Sequence, residues 1–151
     1  MMKVLIIEDE RPSARRLQRM LEKQGITVDE MLHSVEESIE WFASNEHPDL
    51  IFLDIQLSDG LSFEIFDTVE VKSAIIFTTA FDEYALQAFK LNSIDYLLKP
   101  IDEEELIRAL GEYKERNNGS EQVQLDFDDI RKLLVNPVGR QYKKRFTTRI
   151  G

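Results

Sequence analysis

The stretch Leu50-Ile51-Phe52-Leu53 is bounded by two acids, Asp49 and Asp54. Successive side chains of a strand point to opposite faces, so four apolar residues in a row demand cover on both sides. Such a run suits a central strand of a parallel sheet. The same pattern recurs at residues 3–8 and 74–79, and a shorter strand is expected at 95–98. Residues 27–31 read as a weaker, half-polar strand.

Helical spacing fills the gaps. From Pro12 to Lys23 the apolar residues Ala14, Leu17, Met20 and Leu21 fall on one face, and Gly25 ends the helix. Ser34 stands three residues before Glu37, a capping box that opens a helix to about Ala43. Val35, Ile39, Trp41 and Phe42 should form its apolar face, with Trp41 in the core. A Ser58-Asp59-Gly60 turn leads into a helix carrying Leu61, Phe63, Ile65 and Phe66. Asp82 caps a helix through Leu91, and Asp102 opens another whose first turn is Glu103-Glu104-Glu105. Five strands alternating with five helices predict an α/β fold, a five-stranded parallel sheet with helices on both faces.

Length and composition narrow the class. The chain has 151 residues, 42% hydrophobic and 32% charged, enough for one packed domain and a tail. It has no cysteine, which excludes a disulfide framework and thiolate chemistry. The apolar start is too short for a signal peptide or a membrane span, so no membrane association is expected. The net charge of −10 is uneven: residues 1–119 hold 12 Lys+Arg and 25 Asp+Glu, whereas no acid follows Pro137. Such a body repels nucleic acid and such an end does not.

In open parallel sheets, ligands bind beyond the carboxyl ends of the strands. The first strand ends in Glu8-Asp9-Glu10, the third in Asp54, the fourth in Thr78-Thr79-Ala80, and Lys99-Pro100 follows the fifth. Carboxylates brought together in a cleft repel one another, and a divalent cation offsets that. An oxygen-only set points to Mg²⁺ rather than zinc. A lysine and a hydroxyl opposite the acids complete a pocket for a transferring phosphoryl group.

Glu8-Asp9, Asp54, Thr79-Ala80 and Lys99-Pro100, in this order and at these strand ends, resemble the residue set of response-regulator receiver domains of two-component signalling. The resemblance spans roughly residues 2–117. It implies a flavodoxin-like, doubly wound (βα)5 fold with strand order 2-1-3-4-5. Glu8 and Asp9 would then hold Mg²⁺, which Mn²⁺ can replace, with the backbone carbonyl of Gln56 as a further ligand. Asp54 would be both ligand and phosphoacceptor. Thr79 and Lys99 would contact the phosphoryl oxygens, and Pro100 would follow a cis bond. Thr79 and Tyr96 would be the switch pair, although a Tyr at a strand end is also often core rim. The implied partner is a histidine kinase, the location cytoplasmic, and the only chemistry the domain's own phosphorylation and dephosphorylation. A homodimer through residues 82–91, 95–98 and 102–115 is the implied readout. The segment from Asp54 to Gly60 departs from the family pattern: it is short and has no proline.

A second resemblance lies in the tail. Asn92 to Pro100 is similar to the receivers of the LytTR-type (LytR/AlgR-like) subfamily, and Tyr142 to Gly151 to the opening strand of the DNA-binding domain that follows them. Residues 1–118 are therefore expected to be the receiver. Residues 119–139 would be a linker with a short helix at 127–135, and residues 140–151 the start of the effector. DNA binding is expected of the full effector domain, not of these last residues. A phosphorylation-independent interaction module is the alternative. An aspartate-nucleophile phosphatase would carry a second Asp where Gln56 stands, and a flavin-mononucleotide binder a hydroxyl-rich loop where Glu8-Asp9-Glu10 stands. His33 and His47 fall in expected loops and read as surface residues.

Overall fold

The computed structural model describes residues 2–80 and 95–118, with side chains through Glu115. In chain order these form β1 (Val4–Ile7), α1 (Arg11–Lys23), β2 (Val28–Leu32), α2 (Val35–Ser44) and β3 (Leu50–Asp54). There follow β4 (Gln56–Leu57), β5 (Gly60–Leu61), α3 (Phe63–Thr68), β6 (Ala74–Thr79), β7 (Tyr96–Leu98) and α4 (Glu103–Asn118). The expected helix at 82–91, the linker helix and the basic tail lie outside the described residues.

The five main strands are all parallel, in the order β2-β1-β3-β6-β7. This is the doubly wound order that the resemblance implies. Every residue of β1 and β3 is buried, while the edge strands β2 and β7 expose part of theirs. Val4, Ile6, Leu50, Phe52, Ile76 and Leu97 pack on one face against Leu17 and Leu21 of α1 and Leu106 and Leu110 of α4. The alternate residues, among them Leu5, Ile7, Leu53 and Phe77, are buried on the other face. There Phe63 meets Phe77 with ring centroids 5.6 Å apart, and α3 packs beside α2.

Local signals explain the ends. Gly25 follows α1 at φ +78°, a conformation that costs glycine little. Ser34 caps α2 by accepting the Glu37 N–H at 3.0 Å. The capping box closes one residue early, because the Glu37 carboxylate takes the N–H of His33 at 2.7 Å. Trp41 is only half buried, against expectation; α2 turns Val35, Ser38 and Phe42 inward, and Trp41 meets Phe42 edge-on at the rim.

The segment after Asp54 is more ordered than a simple turn. Gln56–Leu57 and Gly60–Leu61 pair antiparallel as a small hairpin, with Ser58 and Asp59 at its tip. Gly60 has φ +146°, and a side chain there would run into the Glu64 carboxylate, which accepts the Leu61 N–H. A two-residue turn joins the two short strands.

Candidate functional site

Parallel pairing brings the strand ends level. Ile7 is opposite Leu53, and Asp54 is opposite Thr78, so Glu8, Asp54 and Thr79 line one edge of the sheet. The Lys99 N–H donates to the Thr79 carbonyl at 2.8 Å and continues that ladder by one residue. The Lys99–Pro100 bond is cis, as the resemblance to receiver domains implies.

Carboxylate oxygens of Glu8, Asp9 and Asp54 all lie within 4.8 Å of one another. Glu8 and Asp54 are buried, at 4% and 7% exposure, and Asp9 is half buried. The Lys99 ammonium lies 3.0 Å from Asp54 Oδ2 and in closer contact with Glu8 Oε1. The exposed Glu10 carboxylate is 3.9 Å from it.

The electrostatics follow from this crowding. Burial pushes the Glu8 carboxyl up and the neighbouring Asp54 charge adds to the rise, outweighing hydrogen bonds from Lys99 and the Glu10 N–H. Burial and the Glu8 carboxylate raise Asp9 in the same direction. Lys99 is pulled down by burial, but hydrogen bonds to Glu8 and Asp54 prevail and hold its ammonium above the ordinary lysine value. Three acids against one lysine leave an excess of negative charge in a partly dry pocket. An all-oxygen set of this span fits a hard divalent cation.

Of the residues singled out from sequence, Glu8, Asp9, Asp54 and Lys99 are gathered into one cluster. Thr79 is buried at the end of β6, beside the residue paired with Asp54. The backbone of Gln56 begins the hairpin, its N–H 3.4 Å from Asp54 Oδ1. Tyr96 opens β7, paired in register with Phe77 and half buried.

His33 corrects the sequence reading. It is half buried at the end of β2, with ring Nδ1 2.9 Å from the Glu8 carbonyl and Nε2 3.3 Å from an Arg11 guanidinium nitrogen. His47 is also half buried, edge-on to Phe42 with ring centroids 5.3 Å apart. The loop positions are right, but parallel pairing of β2 with β1 carries His33 beside the acids. Asp59, read as a turn residue, accepts the N–H groups of Val35 at 2.8 Å and Glu36 at 3.1 Å. No local pattern announces either contact, since the partners are 25, 24 and 23 residues apart.

The model of the response regulator receiver domain matches residues 4–111. The chain belongs to the response-regulator receiver family. A sensory transduction protein LytT of Bacillus anthracis is 41% identical to it over 120 residues, which are 77% of this chain and 48% of the relative. The transcriptional regulatory protein BtsR of Escherichia coli is 36% identical over 122 residues, 78% of this chain and 50% of that protein. The chain thus spans about half the length of the curated relatives it matches. A solved two-component response regulator from Clostridium difficile is 33% identical with a TM-score of 0.64, covering 79% of this receiver and all of that chain.

Proposed function

We propose that this receiver accepts a phosphoryl group from a histidine kinase on Asp54, in a Mg²⁺-dependent reaction, and thereby controls transcription through the protein's effector region. The observation that carries the reading is the buried Asp54 carboxylate, hydrogen-bonded to Lys99 at 3.0 Å and within 4.8 Å of Glu8 and Asp9 oxygens.

An Asp54 oxygen forms the new bond to phosphorus while the bond from phosphorus to the donor imidazole nitrogen breaks. The electron pair stays on that nitrogen, which takes up a proton. Lys99, kept cationic by its two carboxylate neighbours, stabilises negative charge on the transferring oxygens, and the Thr79 hydroxyl donates to another. Glu8, Asp9, Asp54 and the Gln56 carbonyl would hold Mg²⁺, or Mn²⁺ in its place, which when bound offsets the charge of the acids and of the phosphoryl group. Hydrolysis resets the domain: water attacks phosphorus and Asp54 leaves as carboxylate.

Thr79 and Tyr96 serve as the switch pair in this reading. Its output is a homodimer through 82–91, 95–98 and 102–115, where Leu98 and Ile107 expose 44% and 46% of their surface. Arg108 already bonds Glu105 and Glu112 on its own helix, so apolar contact is the better driving force there. DNA recognition belongs to the segment that follows the receiver, in keeping with the basic end of the chain and with a relative named as a transcriptional regulator. A cytoplasmic location goes with this role. Among the described residues no helix is long and apolar enough to cross a membrane.

Intact mass after incubation with acetyl phosphate tests the reading. One phosphoryl mass should appear with Mg²⁺, vanish when the metal is chelated, and be absent in Asp54→Asn. Full modification of Asp54→Asn would exclude Asp54 as the acceptor.

A further inference from the structure

The start of α2 touches both loops that carry the acidic pocket. On one side, His33 directly precedes the Ser34 cap, and its Nδ1 lies 2.9 Å from the carbonyl of Glu8. A carbonyl only accepts and a guanidinium only donates. The Nδ1 hydrogen therefore donates to the Glu8 carbonyl, while Nε2 faces the Arg11 guanidinium. The His33 N–H is fixed in turn by Glu37 of the first turn of α2.

On the other side stands Asp59, at the tip of the hairpin that begins at Gln56. Its two oxygens accept the N–H groups of Val35 and Glu36, while Ser34 takes that of Glu37. The first three N–H groups of α2 are thus satisfied by two side chains, one of them from a distant loop. Burial raises the Asp59 carboxyl, but the two donated N–H groups outweigh it and hold it below the usual aspartate value. The helix already has its own cap in Ser34, so local helix formation does not call for a second cap from the hairpin.

We propose that His33 and Asp59 are positioning residues, which bolt the Glu8–Asp9 loop and the Asp54–Gln56 loop to one helix start and so set the pocket's affinity for a divalent cation. The inference rests on the reading of that pocket as a Mg²⁺ site. The physical reason is repulsion. Acids on two separate loops drift apart unless each loop is held, and a held pair loses less freedom when the cation binds.

The test is direct titration of the 151-residue protein with Mn²⁺, following the free-ion electron paramagnetic resonance signal. Asp59→Ala and His33→Ala should each weaken binding by about tenfold. Asp59→Asn, whose amide oxygen still accepts one N–H, should recover part of the loss. The two losses should not simply add in the double variant, because both act through the same helix start. With acetyl phosphate, the Mg²⁺ concentration for half-maximal phosphorylation should rise while the rate at saturating Mg²⁺ stays near that of the unaltered protein. A residue that only capped the helix would lower thermal stability and leave Mn²⁺ affinity unchanged, and that result would overturn the proposal. Should the alanine variants not fold, Asp59→Asn and His33→Gln decide it on the same readouts. Asp9→Ala separates the two levels. If it abolishes Mn²⁺ binding while the His33 and Asp59 variants bind normally, the positioning role alone fails. If Asp9→Ala binds normally, the metal pocket itself is misassigned and the proposal falls with it.

Discussion

Carboxylates sit at both ends of the sheet and do different work at each. At the amino end, Asp49 accepts the Lys3 N–H at 2.8 Å and Asp29 accepts the Val4 N–H at 2.9 Å. Asp29 falls where the β1–β2 register slips by one residue, so its side chain supplies a bond there that the ladder does not. Both acids are exposed, and the nearby Lys3–Glu46 pair is open to water. An open cleft at this end, lined in part by Lys3, Asp29, Trp41 and Pro48, is remote from the acid–lysine cluster. At the carboxyl end, Glu8 and Asp54 are buried, cluster with Asp9 and share Lys99. An acid that caps an N–H stabilises the fold where it stands. Acids that face one another oppose folding until a cation arrives.

The largest expected contrast is in metal affinity. Asp9→Ala should weaken Mg²⁺ binding by about tenfold or more, whereas Asp29→Ala should leave it unchanged. Calorimetric titration of the two variants would break the contrast if they lost affinity alike.

Stability should respond with opposite signs. Asp29→Ala removes the partner of the Val4 N–H and should cost roughly 1 kcal/mol in urea denaturation. Asp9→Asn removes a repelling charge and should raise the Mg²⁺-free midpoint. A loss of stability in both variants would mean that the crowding at the carboxyl end is already relieved in the folded protein.

The smallest effect is in the pH profile. Glu8 and Asp9 have folded-state values raised above the ordinary carboxylate range. The folded state therefore binds more protons than the unfolded chain in that window, and the stability they add is lost as pH rises through their folded values. Without metal, the advantage of Asp9→Asn should accordingly shrink as pH falls through this window. Mg²⁺ affinity of the unaltered protein should grow as pH rises through it. Paired thermal melts across acidic pH would sharpen the comparison, and a flat difference would contradict the raised value of Asp9.

Much of this was legible in the chain itself. The burial of β1, β3 and β6 follows from unbroken apolar runs, and the half-exposed β2 from its mixed one. The acids, the threonine and the lysine stand where those runs stop, so their convergence follows once the strands are parallel. Trp41 misled because its size suggests the core, while the helical period places Phe42 inward and leaves Trp41 at the rim.

The sequence by itself determined the strands, the parallel sheet and the polar groups at its carboxyl edge, because periodicity and chain order are local properties. Tertiary structure alone decided that Glu8 shares Lys99 with Asp54, that His33 holds the Glu8 carbonyl, and that Asp59 caps α2. Each of these depends on loops far apart in the chain meeting at hydrogen-bond distance. Such distances follow from strand register and helix packing, which no short window of residues encodes.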